Sequence, residues 1–239
     1  MFFNSEAESF LNNEKFESAY KLKLKSDRLL MTREEYLLES VKGRNILHIG
    51  FTDHLPLIDE KIREGKWLHA KLDESSQFCL GIDINSVSVK YIEDNYPEYD
   101  VCNLNIIDDP VPDIITENNW DYILLPDVLE HINTPVDFLR SIRTKYSKYC
   151  SKLIITAPNA TNYGNIRNVF RNIERINTDH RFWYTPYTLA KVIADSGCKA
   201  TSFDLVEYGT DWKNQFLKRF ILQKYPLLRD TVVMEVELG

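Results

Sequence analysis

The side chains best suited to chemistry fall in three stretches of this 239-residue chain. Leu129-Glu130-His131 follows an apolar run, and Asp179-His180-Arg181-Phe182-Trp183 comes later. Histidine titrates at about pH 6.5, so His131 and His180 are the candidates for removing a proton at neutral pH. Around them Arg181 suits an anionic ligand, Trp183 suits stacking on a sugar or a base, and Asn159 suits a hydrogen bond to a polar ligand. Each has a plain alternative: His131 packing beside Glu130 and organising it, Asn159 fixing a turn, the others packing at a helix start. The third stretch is Asn45-Ile46-Leu47-His48-Ile49-Gly50, an apolar run closed by glycine, followed later by Gly81-Ile82-Asp83-Ile84-Asn85. Gly50 allows a tight turn and close approach of a ligand, and a carboxylate at the tip of the next strand accepts hydrogen bonds from both hydroxyls of a ribose. This is the outline of a nucleoside-binding half, with a plain loop aspartate as the alternative for Asp83.

These residues must be positioned by alternating strands and helices. Strands are expected at 45–49, 78–83, 100–104, 121–125, 152–157, 200–207 and 231–238. Helices are expected near 55–63, 68–75, 86–95, 135–146, 162–173, 186–196 and 212–223. Alternation of this kind predicts an α/β fold with a mostly parallel sheet covered on both faces. The two closing strands alternate polar and apolar residues, as sheet edges do. Pro126 and Asp127 should line the carboxyl edge of the sheet, where ligands of such folds bind. Residues 1–43 are polar, with Phe10, Leu11, Phe16, Tyr20 and Leu24 near helical spacing and a capping-box pattern from Thr32. They read as an N-terminal helical extension, a lid or the contact of a homodimer, on a domain of residues 44–239.

With the Asp83 strand, the Leu129-Glu130-His131 segment and the His180-Arg181-Phe182-Trp183-Tyr184-Thr185-Pro186 segment in this order, the chain resembles the class I S-adenosylmethionine (SAM) dependent methyltransferases over about residues 40–208. The resemblance implies a Rossmann-like seven-stranded sheet with its last strand antiparallel, SAM as cofactor and S-adenosylhomocysteine as product. Such proteins carry an acid before the first glycine and further glycines after it. Here His48 replaces the acid, and only Gly50 remains of the glycines, followed by Phe51, Thr52, Asp53 and His54. The implied cofactor contacts are Ile49, Gly50, Phe51, Asp53 and His54 around the methionine part, Asp83 and Ile84 at the ribose, Asn103 and Leu104 at the adenine, and Pro126 and Asp127 at the sheet edge. Asp53 would receive the ammonium group, or else cap the next helix. Methyl transfer from a sulfonium is an in-line displacement, so the protein must mainly position the acceptor and take a proton from a hydroxyl. His131 is the first candidate base and His180 the second, with Glu130, Asn159, Arg181 and Trp183 as acceptor contacts. The implied activity is O-methylation of a sugar, sugar nucleotide or related polar molecule in glycan biosynthesis. The unusual loop keeps open a methyltransferase-like binding or scaffold protein that has lost catalysis.

Hydrophobic residues make up 44%, charged residues 27%, and the net charge is −7, which argues against a nucleic-acid partner. The segment Leu125-Pro126-Asp127 also stands where nucleic-acid methyltransferases carry a tetrapeptide rich in proline. No apolar run approaches the roughly 18 residues of a bilayer span, so no stable membrane insertion and a cytoplasmic location are expected. Cys79, Cys102, Cys150 and Cys198 form no Cys-x-x-Cys pair and read as reduced thiols. A nicotinamide enzyme would want a Gly-x-Gly-x-x-Gly turn after the first strand, which is missing. His48 and His69 complete the histidines, and no cluster shows metal-ligand spacing along the chain, so no metal is expected. Arg167, Arg171 and Arg175 would share a helical face, and so would Trp212, Phe216 and Phe220.

Overall fold

The computed structural model describes residues 1–24, 29–53 and 55–239. Helices α1 (Ser5–Leu11) and α2 (Arg33–Val41) precede β1 (Asn45–Ile49), then α3 (Leu55–Arg63), α4 (Leu68–Ser75), β2 (Phe78–Asp83), α5 (Ser86–Asn95) and β3 (Val101–Asn103). After α6 (Asp113–Thr116) come β4 (Tyr122–Pro126), a 3₁₀ turn at Leu129–His131, α7 (Pro135–Tyr146), β5 (Lys152–Pro158) and α8 (Tyr163–Val169). The chain closes with α9 (Pro186–Asp195), β6 (Lys199–Val206), α10 (Phe216–Lys224) and β7 (Thr231–Glu237). The seven strands form one sheet of order β3-β2-β1-β4-β5-β7-β6. All pairings are parallel except those of β7, which runs antiparallel to β5 and β6.

The sheet faces follow from the two-residue period of a strand. In β1, Leu47 and Ile49 join the large core cluster on one face, while Ile46 joins Tyr36, Leu37 and Leu72 of α2 and α4 on the other. Sequence order reverses at β1, which pairs with β2 on one side and β4 on the other. Open α/β sheets bind ligands at that reversal, outside the carboxyl ends of the strands.

Residues before β1 pack directly onto the sheet. Phe3 stacks at 4.7 Å on Phe203 of β6, and the Phe203 amide donates to the Met1 carbonyl at 2.9 Å. Thr32 caps α2 with the reciprocal Glu35 bond of a capping box, and Tyr36 donates to Glu235 of β7 at 2.8 Å.

Three helical expectations are corrected. The spacing of Phe10 to Leu24 does not continue a helix, because α1 ends at Leu11 and Asn13 adopts the left-handed φ of 61°, a conformation Asn tolerates better than most residues. The expected helix at 212–223 breaks at Gln215 into a short 3₁₀ turn and α10. Trp212 is therefore buried while Phe216 and Phe220 are exposed. Likewise α8 ends at Val169, so only Arg167 of the three arginines lies on a helix.

Candidate active site

The carboxyl edge of the sheet opens into a cleft of about 1320 Å³ that runs from the loop after β1 to the turn after β4. Gly50 turns the chain out of β1 with a φ of +72°, and a Cβ placed there would lie 2.6 Å from a methyl of Val128. Both conformation and space thus demand glycine. Its amide donates to Ile82 at 2.8 Å, tying the loop to β2. At the tip of β2, Asp83 accepts from the Thr52 hydroxyl at 2.6 Å and from the Asn85 amide at 2.9 Å. The carboxylate is thereby fixed at the cleft wall, beside the glycine turn.

Beneath this loop lies a buried aromatic cluster. His48 and His69 face each other with Nδ1 atoms 3.1 Å apart, and His69 packs against Phe51 and Trp67 with ring centroids at 4.8 and 5.1 Å. Two neutral imidazoles share one proton here, so protonating both would place like charges in an apolar site. Burial holds both below the usual histidine range, His69 at about 3.

At the β4 end, Asp127 sits in the left-handed region with a φ of 55°, a strained position for a side chain other than Asn, Asp or Gly. Its carboxylate accepts from Thr156 at 2.8 Å and pairs with Arg33 of α2. The Arg33 guanidinium lies 4.5 Å over the Tyr208 ring. The segment before β1 thus places a buried cation in the cleft.

The next turn carries Glu130, His131 and, from the loop before α9, His180. The His131 and His180 rings meet edge to face with centroids 4.7 Å apart. His180 Nε2 lies 3.9 Å from Glu130 Oε1. Glu130 is fully buried, and burial with the Asp127 carboxylate beside it pushes its carboxyl up to about 8. Burial, then the neighbouring His131, lowers the pKa of His180 and favours the neutral ring that accepts a proton. Arg181 staples the two segments: its amide donates to the Glu130 carbonyl at 2.8 Å, and its guanidinium to the His131 carbonyl at 2.7 Å. Trp183 lines the cleft beyond His180.

Solved structures of similar shape share this arrangement of elements. Magnesium protoporphyrin IX methyltransferase from Synechocystis PCC 6803, with bound S-adenosylhomocysteine, matches with a TM-score of 0.51 at 12% identity, covering 85% of this chain and 79% of that one. A candidate methyltransferase from Bacillus halodurans C-125 matches with a TM-score of 0.52 at 12% identity, over 87% and 99% of the two chains. The small RNA methyltransferase HEN1 matches with a TM-score of 0.54 at 13% identity, over 90% of this chain but 27% of that one. The chain has the methyltransferase fold. No family model and no curated protein sequence matches it.

Within the methyltransferase fold, the residues expected from sequence divide by location. Gly50, Phe51, Asp53, Asp83, Pro126, Asp127, Glu130, His131, His180 and Trp183 all line the cleft, and His54 lies outside the described residues. Asp53 pairs with Lys61 of α3 at 2.6 Å. Ile49 and Leu104 are buried in the core below the cleft floor, Ile84 is exposed beside it, and the Asn103 amide donates to the Asp83 carbonyl at 2.9 Å.

One expected acceptor contact is corrected by its hydrogen bonds. Asn159 is fully buried, and its amide donates to the carbonyls of Leu227 and Arg229 at 2.8 and 2.7 Å. It fixes the turn after β5. Arg181 donates through Nη1 to the His131 and Asp179 carbonyls, which braces the histidine turn, and its side chain is exposed. The residues that sequence reading missed are Thr52, Arg33 and Tyr208. Thr52 stood inside the quoted loop, but only the fold shows it facing Asp83. Arg33 stood in the capping-box motif, whose reading stopped at the cap.

Proposed function

We propose that this chain is a SAM-dependent methyltransferase that O-methylates a sugar, a sugar nucleotide or a related polar small molecule. The observation that carries the reading is a single cleft with a glycine turn and a fixed carboxylate at one end, and a buried carboxyl with two histidines at the other. The residues fit the cofactor. The Gly50 turn presents bare backbone to the cleft, and Asp83 presents a carboxylate suited to ribose hydroxyls. When bound, SAM supplies a methyl group on a positively charged sulfur. The chain's own residues do the rest. Thr52 and Asn85 orient Asp83, Phe51 and Trp67 exclude water beneath the loop, and Arg33 holds Asp127 at the middle of the cleft. The neutral His180 ring is placed to take a proton from a hydroxyl, and the Trp183 ring offers a face to a sugar. The net charge of −7 favours a small polar acceptor over a nucleic acid.

The test is incubation with SAM and a panel of sugars and sugar nucleotides, reading S-adenosylhomocysteine and methylated product. His180→Gln should lower kcat by about 10²-fold or more, the ordinary worth of a general base, and Trp183→Ala should mainly raise KM. SAM binding without turnover of any acceptor would favour the binding or scaffold reading that the single-glycine loop motivates.

A further inference from the structure

We propose that Glu130, His131 and His180 form a binding site for one divalent first-row transition-metal cation at the acceptor end of the cleft. One ligand atom from each of the three lies within 4.8 Å of the other two. Ligands at tetrahedral metal–nitrogen distances stand about 3.4 Å apart, so a contraction of little more than 1 Å, about one side-chain rotation, closes the site around an ion. The chain spacing concealed this group, because Glu130 and His131 are adjacent while His180 arrives from the loop before α9. The expectation of no metal rested on that spacing alone.

The second observation is independent of the spacing. Glu130 is fully buried and neither carboxylate oxygen has a hydrogen-bond partner, and the buried Nδ1 of His180 has none either. A buried polar group without a partner is costly, and a buried charge far more so. Either the carboxyl keeps a proton, or a cation supplies the missing partner. Arg33 pairs with Asp127, Arg181 donates to the His131 and Asp179 carbonyls, and neither hydrogen-bonds the Glu130 carboxylate. Those same Arg181 bonds hold the two ligand-bearing segments together, so the site is braced without an ion.

The donor set decides the class of ion. Two imidazoles and one carboxylate suit manganese, iron, cobalt or zinc better than calcium or magnesium, which prefer oxygen alone. His131 and His180 both line the cleft, so the remaining coordination positions face the acceptor. With an ion bound, the ligating nitrogen of His180 no longer takes the proton, and a hydroxyl ligated there becomes more acidic instead. This last consequence rests on the methyltransferase reading, whereas the cation site itself does not.

The test titrates the untagged full-length chain, stripped with a chelator, with cobalt(II), following heat and the visible absorption that strengthens when imidazoles replace waters. Wild type should bind one ion per chain. Glu130→Gln and His180→Gln should each weaken binding at least tenfold with circular dichroism unchanged. No binding by wild type, or equal binding by all three proteins, overturns the site. A parallel SAM titration separates the two claims. Cobalt binding without SAM binding keeps the cation site and removes the methyltransferase reading, and SAM binding without cobalt binding does the reverse.

Discussion

Replacing His69 by glutamine should remove an acid-sensitive device beneath the loop after β1. His69 is fully buried, its Nδ1 lies 3.1 Å from that of His48, and burial holds its pKa at about 3. A histidine whose folded pKa is depressed contributes stability that is present above its unfolded value of about 6.5 and is lost as pH falls through the window towards the folded value. At about pH 5 the unfolded side chain has taken up its proton and the folded one has not. The difference is RT ln(1 + 10^1.5), about 2 kcal/mol against folding from this residue alone. His48, displaced in the same direction by burial and by His69, adds to the loss. Glutamine keeps a hydrogen-bonding side chain of similar volume and does not titrate. Urea unfolding followed by tryptophan fluorescence at pH 7 and pH 5 gives the comparison. Wild type should lose about 2 kcal/mol more than His69→Gln between the two conditions. Equal losses in the two proteins, or a wild type that gains stability on acidification relative to the variant, would refute the reasoning.

Gly50→Ala should destabilise the fold by roughly 1–3 kcal/mol, since it forces a side chain into left-handed backbone and against Val128. Adding Val128→Ala should recover the packing part of that loss in the same unfolding assay and leave the backbone part. Glu207 titrates in the opposite sense from His69. Burial, then the neighbouring Asp230, pushes its carboxyl up to about 7, so stability should fall as pH rises from its unfolded value of about 4.5 through about 7. Glu207→Gln should therefore be the more stable protein at pH 8 by an amount on the order of 1–3 kcal/mol, with little difference at pH 4, read from thermal midpoints.

The framework was legible where burial dictates residue type. β1, β2, β4 and β5 are buried on both faces, and their apolar runs ending in Gly50, Asp83, Pro126 and Pro158 announce strands whose tips line the cleft. Residues before β1 were harder. Leu11 and Phe3 pack on the sheet, but Asn12 and Asn13 stop the helix between them and Phe16, and the long-range contacts that order the segment leave no period in the sequence. The histidine end of the cleft shows the same limit. Leu129-Glu130-His131 marks a turn after a strand, yet nothing local reveals that Glu130 is buried without a partner, or that Arg181 pins the His180 loop against it. Arg33 was hidden for a related reason: its partner Asp127 lies 94 residues away, and a capping motif already accounted for the sequence around it.

The most direct test of the central claim is titration calorimetry of wild type and Asp83→Ala with SAM and with S-adenosylhomocysteine. The geometry of Asp83, held by Thr52 and Asn85 at the end of β2, predicts binding by wild type that falls at least tenfold, about 1.4 kcal/mol, on the substitution. Absence of binding by wild type, or equal affinity in the two proteins, would contradict the assignment of the cleft to SAM.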